Sequence, residues 1–249
     1  MKRLLRRPDV FVETMVKRLF RNYLYPHLSE LQRSGTVYFD SCAFISNLVK
    51  KDVPPESLDV FRHEYEKLTD ELVLRAGITN KIFPEEYRSQ VANTFIEYAL
   101  VRLTEPKVVL ETGVADGVST YFLVNAIKNN GSGKILSVDV DKRAGVFLNE
   151  NERSYWTFLL LRKPSPSSFK TLISSIKEVD IFVHDSDHSY KWQKLEYSSV
   201  KGKMKSGSIL LSDDVDSSYA FIDTFQSIRK RDQISYCLGE TRFFGGVII

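Results

Sequence analysis

The sequence predicts an α/β protein: a mostly parallel sheet with helices on both faces, preceded by a helical region of about a hundred residues. Three observations carry that prediction. After Pro106, short β-branched runs alternate five times with helical stretches over short connections, which implies parallel strands joined by right-handed crossovers. Runs such as Ile181-Phe182-Val183 and Ile209-Leu210-Leu211 are continuously apolar, as strands covered on both faces are. Before Pro106 the apolar spacing is helical instead.

The chain has 249 residues, enough for one large or two modest domains with a sizeable core. Its 43% hydrophobic and 27% charged content is that of an ordinary globular protein, and a formal net charge of +3 without a localised patch gives no reason to expect nucleic acid. Cys42 and Cys237 lie far apart and form no metal-type spacing, so they read as buried or free thiols of a reducing compartment. No apolar run approaches the roughly 20 residues of a transmembrane segment. The start, MKRLLRRPDV, is basic but lacks the apolar core of a secretory signal, and a cytoplasmic location is expected.

From Val10 to Leu24 the apolar residues Phe11, Val12, Met15, Val16, Leu19, Phe20 and Tyr23 follow helical spacing, with Lys17, Arg18 and Arg21 opposite. Such a helix either packs on the domain or a second subunit, or lies on an anionic membrane surface. Ser34–Lys50 is ambiguous. Pro54-Pro55 opens a helix with Leu58, Phe61, Tyr65, Leu68 and Leu72 inward and Gly77 as its C′ residue. A further helix is expected from Pro84, with Glu85 and Glu86 in its first turn, ending before Pro106. No catalytic constellation stands out among these residues, and the long apolar stripes suit a cap or a homodimer surface.

The alternating half offers strands at Val108–Glu111, Lys134–Asp139, Trp156–Leu161, Asp180–His184 and Ser208–Ser212. Helical stretches fall at Val118–Lys128, Ala144–Glu152, Ser168–Ile176, Lys191–Lys203 and Tyr219–Lys230. Gln233–Leu238 and Phe243–Ile249 have no helix between them and suggest a closing antiparallel pair, with Gly245-Gly246 marking a bulge or a close backbone approach.

Polar residues gather at the C-terminal strand ends, the edge along which open α/β sheets bind ligands. KVVLETGVADGVST, residues 107–120, is a strand, a glycine turn and a helix start, with Glu111 closing the strand and Gly113 and Gly117 in the turn. Registered on Gly113, the dinucleotide pattern G-x-G-x-x-G fails at Ala115 and Val118. The turn also carries Glu111 and Asp116 but no lysine, which suits a cationic or zwitterionic adenosine ligand better than a pyrophosphate. Asp139, 22 residues after Gly117, stands near the distance at which a second-strand carboxylate reaches ribose hydroxyls.

Asp187, Asp213 and Asp214 together offer oxygen ligands for a hard divalent cation such as Mg2+. Alternatively, Asp213 or Asp214 caps the helix that follows. His184 lies within a strand and reads as a core histidine, whereas His188, beyond the strand end, is a candidate general base with Lys191 as competitor.

Taken together, ETGVADGVST, the acid in LSVDVD, DIFVHDSDHSYKW and SGSILLSDDV resemble the class I S-adenosylmethionine-dependent methyltransferases. Within them the resemblance is to the branch with a D-x-D-H-S-Y loop and an Asp-Asp pair after the fifth strand, which includes cation-dependent O-methyltransferases. It covers roughly residues 87–249 and implies a Rossmann-like fold with a seven-stranded sheet and a terminal antiparallel pair. The expected division is a helical region over 1–104 and an S-adenosylmethionine-binding domain over 105–249. The resemblance further implies that Glu111, Gly113, Gly117 and Ser119 line the methionine part of S-adenosyl-L-methionine and that Asp139 meets its ribose. Ser165 or Ser167 flanks its adenine, and Asp187, which also borders the cofactor, joins Asp213 and Asp214 around the cation. The expected activity is methylation of a small hydroxylated acceptor. The rival readings are a non-catalytic S-adenosylmethionine-binding module and another adenosine-cofactor enzyme.

Overall fold

The computed structural model describes residues 28–84, 87, 89–227, 233–240 and 242–249. The amphipathic stretch Val10–Leu24 lies outside the described residues.

The chain enters through α1 (Leu28–Ser34), β1 (Thr36–Tyr38), α2 (Ser41–Val49), α3 (Pro55–Ile78) and α4 (Val91–Thr104). Asp40 caps α2 by accepting from the Cys42 and Ala43 N–H groups. Pro55 begins α3, where its missing N–H costs nothing. Gly77 stays inside α3, which ends at an extended Thr79, so the expected glycine stop is not used. The helix expected from Pro84 starts at Val91 and ends on Glu105 in the left-handed region; Glu85, Glu86 and Arg88 lie outside the described residues.

The alternating half follows as β2 (Val108–Thr112), α5 (Val118–Asn130), β3 (Lys134–Asp139), α6 (Glu150–Arg153), β4 (Trp156–Leu160), α7 (Pro166–Ser174), β5 (Val179–His184), α8 (Tyr190–Lys201), β6 (Met204–Ser212), α9 (Ala220–Phe225), β7 (Ile234–Leu238) and β8 (Phe243–Ile248). One expected helix is largely absent: of Ala144–Glu152, only the turn from Glu150 is helical. Gly145 there has φ +77°, and the N–H groups of Gly145 and Phe147 go to Ala115 and Asp116 carbonyls instead of a helical ladder.

The strands form one sheet in the order β1-β7-β8-β6-β5-β2-β3-β4, with β8 antiparallel to both neighbours and every other pairing parallel. Among the described residues the count is eight rather than seven, because Thr36–Tyr38 adds a short parallel strand on β7. Three residues are too few for a periodicity signal. Consecutive apolar residues divide between the two faces: Val109, Ile181, Val183, Ile209 and Leu211 pack with α2 to α5, whereas Leu110, Phe182 and Leu210 pack with α7 to α9. Helices from the first hundred residues therefore supply much of one covering layer. A Cβ on Gly245 would meet Val215 and Phe221, and one on Gly246 would meet Phe44 and Leu48, so this pair serves close packing within a regular ladder.

The chain order reverses between β2 and β5: β3 and β4 lie on one side of β2, and β5 and β6 on the other. In open α/β sheets this switch point, at the C-terminal strand ends, is where ligands bind.

Candidate functional site

Backbone bonds knit the loops at that edge together. Gly113 N–H donates to Val138 O (3.0 Å), Asp185 N–H to Thr112 O (2.9 Å) and Asp213 N–H to His184 O (2.9 Å). Gly113 has φ +84°, and a Cβ there would lie 1.9 Å from Asp185 O, so the β2 and β5 loops touch backbone to backbone. Gly117 (φ +94°) stands at the N-cap of α5, its Cβ position 2.9 Å from Gly145 Cα. Ala115 holds φ +46° without being glycine.

That loop shape is held by Asp139. Its Oδ2 accepts from the Val114 (2.8 Å) and Ala115 (3.2 Å) N–H groups, and its Oδ1 from Asp141 N–H (2.8 Å). Glu111, fully buried, accepts from the hydroxyls of Ser119, Thr120 and Ser137. Burial pushes its carboxyl up to about 7, with the three hydroxyls pulling the other way. Ser119 is thus spent on Glu111 rather than facing outward. Asp116 Oδ1 accepts from the N–H groups of Ile82 (3.0 Å) and Phe83 (3.4 Å), tying the segment before α4 to the glycine loop.

Beyond β5 and β6 stands a second group. Asp185, His188 and Asp213 each bring one ligand atom to within 4.8 Å of the others, a spacing suited to one metal ion. Asp214, in the left-handed region at φ +47°, lies 3.4 Å from His188 Nδ1, and Asp185 Oδ1 lies 3.6 Å from His188 Nε2. Burial opposes charge on His188, but Asp185 and Asp214 outweigh it and hold the imidazolium up to about 10. Asp213 is pushed well above the usual carboxylate range, first by burial and then by Asp185 and Asp214.

Of the ligands expected from the sequence, Asp213 is in this group and Asp214 borders it through His188. Asp187 is not in the group; it is exposed and accepts from Ser189 N–H (2.8 Å) at the start of α8. Lys191 is exposed on the first turn of α8. Ser165 is the N-cap of α7, accepting from Ser168 N–H and sharing hydrogen bonds with the Ser167 and Ser168 hydroxyls. His184 is a core histidine, fully buried, with Nδ1 2.7 Å from Glu196 Oε2.

Several residues of this edge were not singled out from the sequence. Asp185 takes a hydrogen bond from Ser89 (2.8 Å), and Asn93 Nδ2 donates to Asp213 Oδ1 (2.7 Å). Among the described residues, the buried side-chain atoms without a hydrogen-bond partner are Asn93 Oδ1, Glu97 Oε2, Asp116 Oδ2, His184 Nε2, His188 Nε2 and Gln193 Nε2. All belong to the glycine loop, the β5 end and its loop, or the helices α4 and α8 that flank them. Buried polar atoms are normally satisfied, so this concentration marks a ligand-facing region. In the sequence Asn93 and Glu97 are a polar pair four residues apart, but Thr94, Arg102 and Thr104 share their helix, so spacing alone did not mark them.

Toward β4 the edge opens into a groove of about 490 Å³ lined by Val140, Asp141, Lys142, Leu160 and Arg162. Polar residues at the β2 and β3 ends therefore adjoin this groove on one side and the Asp185–His188–Asp213 group on the other.

Comparison with known proteins agrees with this layout. Residues 110–215, which hold the site-bearing loops from β2 to β6, match the family model described as a methyltransferase domain. No curated protein sequence matches the chain. Among solved structures, the S-adenosylhomocysteine-bound methyltransferase PaMTH1 of Podospora anserina aligns over 79% of this chain and 97% of its own, with 13% identity and a TM-score of 0.51. An O-methyltransferase of Bacillus cereus in complex with S-adenosylhomocysteine aligns over 85% and 98%, with 13% identity and a TM-score of 0.50. The O-methyltransferase TomG of Streptomyces achromogenes aligns over 88% and 98%, with 12% identity and a TM-score of 0.50. At such identities the structures establish the fold, and the family match falls on the segment that carries the site. Residues 110–215 thus match the methyltransferase-domain model, and the chain shares the fold of these methyltransferase structures.

Proposed function

We propose that this protein is an S-adenosylmethionine-dependent O-methyltransferase that acts on a small hydroxylated acceptor with the help of a divalent cation. The observation that carries the proposal is the convergence of Asp185, His188 and Asp213 beside the glycine loop, at the switch point of the sheet. When bound, S-adenosylmethionine supplies the methyl group, and a divalent cation lowers the pKa of the acceptor hydroxyl that receives it.

The residues of the chain fit these groups. A sulfonium nucleoside with an ammonium group suits a wall made of Glu111, Asp116, Asp139 and Asp185. Asp139 Oδ1 takes one N–H and retains a lone pair for a ribose hydroxyl. Val140 and Leu160, in the groove toward β4, offer apolar surface for a purine. Gly113 and Gly117 shape the tight loop beside which the methionine part would lie. Asp185 and Asp213 would hold the cation, with Asp214 behind His188. Without a cation, the carboxylates of Asp185 and Asp214 favour the charged form of His188, which cannot take a proton. Neutralising Asp185 removes one of the two carboxylates that keep it charged, which returns His188 toward use as a base. Lys191 is the alternative base, and the catalytic gain would come mainly from proximity and orientation.

Mn2+ titration followed by electron paramagnetic resonance tests the cation assignment. The wild type and Asp187→Ala are expected to bind one ion, and Asp185→Ala and Asp213→Ala to bind it at least about tenfold more weakly. Equal binding by all four proteins would remove the cation from the proposal.

A further inference from the structure

Helix α4 brings to the site edge two buried acceptors that have no hydrogen-bond partner among the described residues. Glu97 and Asn93 are 2% and 1% exposed and lie four residues apart, on one helix face. Asn93 turns Nδ2 toward Asp213 Oδ1, which leaves its own Oδ1 without a donor, and Glu97 Oε2 has no partner either. The charges acting on Glu97 are Glu111, Asp185 and Asp213, all of its own sign; burial and these neighbours hold its carboxyl well above the usual range. A buried acceptor left open costs about 1–3 kcal/mol, so two on one face, beside a candidate site, call for an occupant.

The occupant's chemistry follows from the atoms. Asn93 Oδ1 can only accept, and Glu97 Oε2 accepts once its carboxyl is ionised, which burial and its acidic surround oppose until a cation arrives. A metal ion is a poor match, because Glu97 is not in the set of ligand atoms formed by Asp185, His188 and Asp213. A neutral hydroxyl could use one acceptor but gains nothing from the field. An ammonium group has three N–H donors, no lone pair and a positive charge.

We propose that Glu97 Oε2 and Asn93 Oδ1 form an ammonium-binding subsite, filled by an aliphatic amino group on one of the two small molecules bound at this edge. The inference rests on the methyltransferase reading above. Two sources share the chemistry, since Glu97 feels both Glu111 and Asp213: the α-ammonium of the cofactor's methionine part, whose expected bed is at Glu111, and an amine on the acceptor, whose oxygen would be held near Asp213.

Calorimetry on the wild type and Glu97→Gln separates the possibilities. One pair of probes is S-adenosylhomocysteine and its analogue lacking the α-amino group. The other, added to protein loaded with S-adenosylhomocysteine and Mg2+, is dopamine and 4-methylcatechol. Glu97→Gln is expected to cut the preference for the amine-bearing member about tenfold or more, while leaving the amine-free member unchanged. The effect falls in the first pair if the cofactor is the source and in the second if the acceptor is. Unchanged preferences in both pairs overturn the subsite. Thermal unfolding of the ligand-free proteins guards against a purely structural role: Glu97→Gln, which removes a desolvated acid, should melt at or above the wild-type midpoint. A lower midpoint with equal loss for both members of a pair also overturns it. A wild type that binds neither S-adenosylhomocysteine nor its analogue refutes the methyltransferase reading itself, an outcome distinct from the other two.

Discussion

Replacing Gly113 by alanine tests whether the glycine loop and the acidic group form one mechanical unit. The glycine sits at φ +84°, and the added Cβ would fall 1.9 Å from Asp185 O and 2.5 Å from Asp185 C. No rotamer change relieves an overlap with backbone, so the β5 loop has to move. The left-handed conformation costs an L-residue about 1–2 kcal/mol, and overpacking adds about 1–3 kcal/mol. The expected loss is thus roughly 2–5 kcal/mol in urea unfolding. Gly131→Ala is the matched control: φ is +74°, nothing lies within 4 Å of its Cβ, and only the conformational part applies. Gly113→Ala should also weaken Mn2+ binding, because the displaced loop carries Asp185, whereas Gly131→Ala should not. If the two variants are equally stable and bind Mn2+ alike, the contact between the loops does not support the site.

Two further outcomes follow from the buried acids. Glu111 has a folded value of about 7 against an ordinary 4.5, so between those pH values the folded state holds a proton that the unfolded state has released. Stability therefore falls as pH rises through that window, by on the order of 3 kcal/mol in all; Glu111→Gln should flatten the slope measured by urea unfolding, and identical slopes would refute the assignment. Glu196, buried on α8, accepts from Thr112, Ser186 (2.8 Å) and Trp192 (2.6 Å) and faces His184 Nδ1 at 2.7 Å. Glu196→Ala strands all four groups and should cost about 3–5 kcal/mol; a loss below about 1 kcal/mol would show that the network is not structural.

Much of this architecture was legible in the residues because the strands announce themselves twice, by β-branched composition and by continuous apolar runs. Lys134–Asp139 was read with its observed bounds, and Val108, Trp156 and Phe243 each began a strand as expected. What failed depended on distant partners. Ala144–Leu148 has helical composition, yet its amides are used by the glycine loop. Thr36–Tyr38 becomes a strand only because β7 offers a free edge. The site shows the same division. The acids after each strand were visible, but Asp185 and Asp187 alternate along one short loop, and spacing alone does not tell which turns toward Asp213. Asn93 and Glu97 were hidden for a different reason: their significance lies in atoms left without partners, which requires the whole packed structure to recognise.

The most direct measurement is a calorimetric titration of the purified protein with S-adenosylhomocysteine, repeated with Asp139→Ala. The expected result is one molecule bound per chain by the wild type, with affinity reduced about tenfold or more in the variant, since Asp139 shapes the glycine loop and, on the proposed function, would meet the ribose. Wild-type protein that binds neither S-adenosylhomocysteine nor S-adenosylmethionine at any accessible concentration would show that this sheet edge is not a sulfonium-nucleoside site.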